Sequence, residues 1–193
     1  MAKNLTPYFK ISSPARISLS AFPVCITSTT HSQTGYDARL AKNHASIEEH
    51  QVRLYAGHAR SLLIIFQGMD TAGKDGAIKH VMSGVNPLSK AEQKKRLLER
   101  FRDPKKVWKI SEGDIRERSF WNKYRAAYEQ CLGHTSSKSS LWYIVPGDNK
   151  ESARLSISQI LVDRFEKMGL KYPKLTRLEQ RNLKALKSLL LKA

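Results

Sequence analysis

Leu62-Leu63-Ile64-Ile65-Phe66-Gln67-Gly68-Met69-Asp70-Thr71-Ala72-Gly73-Lys74-Asp75-Gly76 is the stretch that decides the fold. Its apolar head, ended by glycine, reads as a short strand buried on both faces, as strands of parallel sheets are. Asp75 to Met82 reads as a helix, so the glycines fall between a strand and a helix, the context in which a glycine-rich loop carries meaning. Phosphate oxygens need donors fixed in place. Gly68 and Gly73 let the backbone curl so that successive amides from Gly68, Met69, Thr71, Ala72, Gly73, Lys74, Asp75 and Gly76 converge on one anion. The helix start adds its positive dipole end, and the Lys74 ammonium adds a full charge able to follow a transferring phosphoryl group.

The loop departs from the common pattern at its last position. A Ser or Thr hydroxyl usually reaches magnesium there, and this chain has Asp75. A carboxylate has to substitute. Either Asp70 or Asp75 can hold magnesium directly or through water, and Asp70 can also orient an accepting phosphate. The plainer alternative is that both carboxylates cap the helix.

Working outward, the segment before the strand runs from Asp37 to about His58, with Leu40, His44, Ile47, Gln51 and Leu54 at steps of four and three, one helical stripe facing a core. His44, His50 and His58 do not share a face, which argues against a metal site there. The first 35 residues, rich in Ser, Thr and Pro, read as an extended arm packed on a domain. After Pro87 no second strand follows. Ser89 to Glu92 has the form of a capping box opening a basic helix. Another helix begins near Asp114, where Trp121, Tyr124, Tyr128 and Cys131 form a stripe expected in the core. Leu141 to Pro146 is the other convincing strand, followed by Gly147-Asp148-Asn149-Lys150 at a strand's carboxyl end, where α/β folds keep their ligands. Thr176 to Glu179 is a second capping box, starting a basic terminal helix.

Composition narrows the partners. The chain has 193 residues, and 34 Lys plus Arg against 17 Asp plus Glu give +17 and a pI near 10.0. Such a field draws polyanions: nucleic acid, an anionic membrane or a phosphate-rich substrate. No apolar run approaches the roughly 20 residues that span a bilayer. Ser18, Ser20 and Pro23 interrupt the only stretch resembling a secretion signal. Cys25 and Cys131 stand in no metal or redox spacing, which fits a reducing cytoplasm. Basic faces at Lys90 to Lys109 and Lys167 to Lys192 match no nucleic-acid module, so nucleic acid and membrane are both set aside as partners.

Longer stretches of text around the loop resemble one family, the polyphosphate kinase 2 family. The resemblance lies in Gln51 to Ala56, Phe66 to Gly76, Ile78 to Pro87, Ser89 to Arg96, Trp108 to Ser111, Trp142 to Lys150 and Tyr172-Pro173, covering about Tyr36 to Pro173 in two blocks. It implies a magnesium-dependent P-loop phosphotransferase acting between inorganic polyphosphate and a nucleotide of AMP, ADP or GDP type. It implies that Asp70 is the loop carboxylate working with Mg2+, that Lys74 binds the transferring phosphate, and that Lys79 helps track polyphosphate. Arg116 and Arg118 resemble positions near the family's lid, and Lys150 one at the strand end facing the site. Asp148 does not align with the family's acidic Walker B element.

The text jumps from Asn86-Pro87 to a helix that in the family follows a later strand. The resemblance implies that the second to fourth core strands, the Walker B acid and much of the arginine-rich lid are absent. The fold expected is therefore α/β, a helix-rich P-loop kinase-like αβα remnant with a reduced parallel sheet, strands near 62–67 and 141–146. The arm would span 1–35, the domain 36–175 and a basic helix 176–193. So small a sheet leaves edges unpaired and apolar surface exposed, which self-association into a homo-oligomer would cover. Two functional expectations follow: polyphosphate:nucleotide phosphotransfer, or binding of polyphosphate or nucleotide without turnover.

Overall fold

The computed structural model describes residues 10–11, 14–25, 33–65, 67, 89–106, 108, 110–138 and 140–191. Gly68 to Gly76 and Lys79 lie outside the described residues. In chain order the described elements are β1 (Lys10–Ile11), a 3-10 turn (Leu19–Ala21), α1 (Gln33–Gly57), α2 (Lys90–Arg102), α3 (Glu112–Ser119), α4 (Trp121–Thr135), β2 (Trp142–Tyr143), α5 (Lys150–Met168) and α6 (Arg177–Leu190).

The centre of the fold is the segment that continues β2. Ile144, Val145 and Pro146 are fully buried. On one side Val145 packs with Ala153, Ile157, Ile160 and Leu161 of α5, against which Leu40 and Ile47 of α1 close. Each such side chain contributes about 1.5–3 kcal/mol when fully buried. α5 earns this position by its composition: small and apolar residues from Ala153 to Phe165 bury most of its circumference, Asn149 caps its start by accepting from the Ser152 amide, and Gly169 ends it in the left-handed region at φ 58. α1 presents Tyr36, Leu40, Asn43, Ile47, His50 and Leu54 to this core. Leu40, Ile47 and Leu54 are where the periodicity places them, whereas His44 and Gln51, expected on the same stripe, are exposed and Asn43 and His50, one position earlier, take their places. The polar members of the true stripe disguised it. Asn43 is buried because its amide donates to Ser158 Oγ at 2.9 Å, and His50 stacks on Phe165 with ring centroids 5.7 Å apart.

On its other side Ile144 packs with Ile11 and Leu132, covered by Ile17, Leu19, Phe22 and Trp142. Here the N-terminal arm supplies what a neighbouring strand would. β1 pairs antiparallel with β2, Lys10 opposite Tyr143 and Ile11 opposite Trp142. Ser136 Oγ donates to the Ile11 carbonyl at 2.7 Å, the Leu19 amide donates to Glu129 Oε1 at 2.7 Å, and farther along the Asp148 amide donates to the Val24 carbonyl at 3.1 Å.

The expected reduced parallel sheet is thus replaced, among the described residues, by a two-stranded antiparallel one. Residues 61–65 form no described strand. Leu62 and Ile64 are half-buried, with Ile64 against the α5 core, whereas Leu63 and Ile65 are 84% and 64% exposed. The segment is covered on one face, not on both. The physical reason is the junction at Pro87: the strands that would lie between the two family blocks have no counterpart, so β2 takes its partner from the arm. The helix expected near Asp114 is two helices broken at Phe120, and its aromatic stripe is not core: Tyr124 and Cys131 are exposed and Leu132 is the buried residue.

The arm's path fixes one testable contact. A Cβ on Gly133 of α4 would lie 2.6 Å from the Ala15 carbonyl oxygen, backbone that cannot step aside. In an open helix Gly→Ala would stabilise by about 0.5–1 kcal/mol. Gly133→Ala is instead predicted to destabilise by roughly 1–3 kcal/mol through overpacking, read as a lowered urea midpoint; a raised midpoint would show that the arm does not lie there. At the other end of the chain, α6 opens on the Thr176–Glu179 capping box, complete in both directions. The Thr176 amide, then its hydroxyl, holds the Glu179 carboxyl below its ordinary pKa. The contribution to helix stability is therefore present above the ordinary carboxylate value and lost as pH falls through the lowered one. Carboxyl NMR titration should give Glu179 a midpoint below that of an unstructured glutamate, and Thr176→Ala, which removes the hydroxyl but keeps the backbone amide, should bring it only part of the way back.

Candidate active site

The site is built from the carboxyl end of β2 outward. From Val145 to Gly147 the chain is buried, and it emerges at Asp148-Asn149-Lys150. Buried carbonyls need donors. Arg96 of α2 supplies them: its Nη2 donates to the Gly147 carbonyl at 2.8 Å and reaches the Asp148 carbonyl at 3.4 Å, while its Nε donates to Glu92 Oε1 at 2.9 Å. Arg96 is 8% exposed and Glu92 20%, so this is a largely desolvated, hydrogen-bonded pair rather than a surface ion pair.

Ser89 caps α2 by accepting from the Glu92 amide at 3.0 Å. The reciprocal half of the expected box goes elsewhere. Asp148 Oδ1 accepts from the Ser89 amide at 2.8 Å, which leaves the Glu92 carboxylate to hold Arg96. One acid from the strand end therefore replaces the helix's own acid and docks the α2 N-terminus against β2. Arg118 of α3 extends the unit, donating through Nη1 to the Lys90 carbonyl at 2.7 Å and to Gln93 Oε1 at 2.8 Å. The Tyr124 hydroxyl donates to Glu117, tying α3 to α4; that hydrogen bond raises the Tyr124 pKa.

Of the residues singled out by sequence, Arg118 and Lys150 belong to this unit's elements, Arg118 as a tie between helices and Lys150 as the exposed first residue of α5. Arg116 is 75% exposed with Glu117 4.0 Å away, an ion pair too open to hold the guanidinium. Gln67, directly before the glycine loop, donates from Nε2 to the Tyr128 hydroxyl of α4 at 3.1 Å. The loop residues Gly68, Met69, Asp70, Thr71, Ala72, Gly73, Lys74, Asp75 and Gly76, with Lys79, are outside the described residues. Among the described residues no group of three His, Cys, Asp or Glu gathers as metal ligands. Sequence reasoning missed the docking role of Asp148, Arg96 and Gln93. The Glu92–Arg96 spacing of four was a legible signal for part of it.

The model of the family Polyphosphate kinase 2 (PPK2) matches residues 30–90 and 87–173. The chain belongs to the polyphosphate kinase 2 family. Its two matched segments meet at the junction inferred from the text. An ADP-polyphosphate phosphotransferase of Rhodopseudomonas palustris is 27% identical over 288 residues, covering 98% of this chain and 100% of that protein. The aligned length exceeds the 193 residues present here, so a long internal stretch of that relative has no counterpart in this family member. An AMP/ADP-polyphosphate phosphotransferase of Meiothermus ruber is 24% identical over 220 residues, covering 69% of this chain and 82% of that one. The crystal structure of polyphosphate kinase 2 from Arthrobacter aurescens TC1 superposes with a TM-score of 0.85 at 23% identity, covering 100% of this chain and 99% of that chain. That likeness gives this polyphosphate kinase 2 family member its fold, helix-rich and P-loop kinase-like.

The docking role of Asp148 is testable without turnover. Asp148→Ala removes the acceptor from the Ser89 amide and should cost roughly 1.5–3 kcal/mol, whereas Asp148→Asn keeps an oxygen acceptor and should cost less than half as much. Equal urea midpoints for the two variants would contradict the assignment.

Proposed function

We propose that this chain transfers phosphoryl groups between inorganic polyphosphate and nucleoside mono- or diphosphates of AMP, ADP or GDP type, with Mg2+, in the cytoplasm. The observation that carries the reading is that family text flanks the phosphate loop on both sides and continues through the docked α2 and β2 end. Relatives named for ADP and AMP/ADP phosphotransfer support the substrate class. Free, exposed Cys25 and Cys131 suit a reducing compartment.

In this reading Lys74 and the loop amides from Gly68 to Gly76 bind and orient the phosphoryl group being moved. Asp70 and Asp75 are hard carboxylate donors, a set that fits magnesium, and Asp70 is the residue assigned to it. Bound magnesium would neutralise charge on the phosphate oxygens. Lys79 tracks the polyphosphate chain. Arg116, Arg118 and Lys150 add positive charge for a polyanion, and the chain's +17 concentrates it before docking. The protein's contribution is positioning and electrostatic stabilisation of an in-line transfer.

A second reading has its own observation: the two matched segments meet at 87–90 without the stretch between them. The resemblance places the Walker B acid and most lid arginines in that stretch. One arginine at a phosphoryl-transfer site is worth roughly 10³–10⁵ in rate, so a chain lacking several can bind polyphosphate or nucleotide without turning over. Purified protein, short polyphosphate, ADP and MgCl2 separate the readings. Phosphotransfer is expected, with Lys74→Ala lowering the rate at least about 10²-fold. Polyphosphate binding that depends on Lys74 but brings no nucleotide product would establish the second reading, and Lys74-independent binding would overturn both.

A further inference from the structure

α6 has no role in the site described above, and its surface is unlike that of the other helices. Every residue from Arg177 to Leu190 is exposed. Leu183, Leu186, Leu189 and Leu190 recur at steps of three and four on one side, 49%, 60%, 65% and 78% exposed, and Leu178, 67% exposed, lies about two turns before Leu186 on that side. Arg177, Arg181, Lys184 and Lys187 follow the same steps on the other side. Glu179, the one acid of the helix, is bound to its cap. The helix is therefore folded, stopped and capped while displaying a leucine face and a cationic face to solvent.

We propose that α6 is a peripheral binding helix for an anionic lipid surface, lying in the interface plane with its leucines among acyl chains and its lysines and arginines among headgroup phosphates. This departs from the expectation that a membrane is not a partner, and it involves no spanning segment: no described helix is long and apolar enough to cross. Charge selects the occupant. A second copy would bring another +17 chain against the same cationic helix, whereas an anionic leaflet complements it. A free polyanion such as polyphosphate would satisfy the cations and leave the leucines in water. Only a surface that is both anionic and apolar below the headgroups answers both faces.

The test is flotation of the full chain with phosphatidylcholine vesicles, pure or containing phosphatidylserine, alongside Leu186→Gln/Leu190→Gln and Lys184→Gln/Lys187→Gln. All four positions are exposed, so unchanged thermal midpoints are expected. Binding to the phosphatidylserine vesicles, absent with pure phosphatidylcholine, should fall roughly tenfold or more in the leucine variant and also weaken in the lysine variant. Binding that ignores the leucine substitutions would reduce the effect to adsorption of a basic protein and overturn the proposal. So would a chain that fails to float but sediments as a dimer dissociated by the leucine substitutions, which would assign the face to a second copy.

Discussion

The backbone from Trp142 to Asp148 is the constraint around which the chain is arranged. It runs through the interior, with Ile144 and Val145 fully buried, so its polar groups must find partners or forfeit the free energy of their lost hydration. Two unrelated parts of the chain provide them. The arm pairs with β2 through Lys10–Ile11 and lends the Val24 carbonyl to the Asp148 amide. The Arg96 guanidinium, which also donates to Glu92, covers the Gly147 and Asp148 carbonyls. The neighbouring helices hang from this arrangement: the Asp148 side chain fixes the α2 N-terminus, α2 holds Arg118, and Lys150 emerges where the strand ends.

This arrangement shows how a shortened sheet keeps one strand buried. In a parallel α/β fold the last strand draws its partners from other core strands. With the stretch between the family segments absent, the antiparallel arm closes β2 on one side. The remaining cost is visible at Leu63 and Ile65, which stand in solvent next to half-buried Leu62 and Ile64. Such alternation marks a segment with one open face. The helices around the β2 end hold their places through helix caps and the Arg96–Glu92 pair rather than through sheet continuity.

How much of this was legible depended on whether the cause was local. Caps were: Ser89 and Thr176 both cap as their residue types and spacings suggest, although the Ser89 box lacks its reciprocal half. The family and the junction near Pro87 were also legible, since both lie in the text itself. The apolar members of the α1 stripe, Leu40, Ile47 and Leu54, were legible, but its polar members were not, because Asn43 donates a hydrogen bond to Ser158 and His50 stacks on Phe165, partners more than a hundred positions away. Asp148 capping across 59 residues is equally invisible locally. The strand at 141–146 was legible, but its described partner was not, since an apolar run reports that a segment prefers burial, not which strand will lie beside it.

Native-state amide hydrogen exchange tests the central claim most directly. If the arm and the Arg96–Glu92 pair jointly hold the end of β2, the amides of Ile11, Trp142, Tyr143 and Asp148 and that of Ser89 are protected and open together with a single free energy. Exchange of the arm amides at the rate of an unfolded peptide, while Trp142 to Asp148 stay protected, would contradict it.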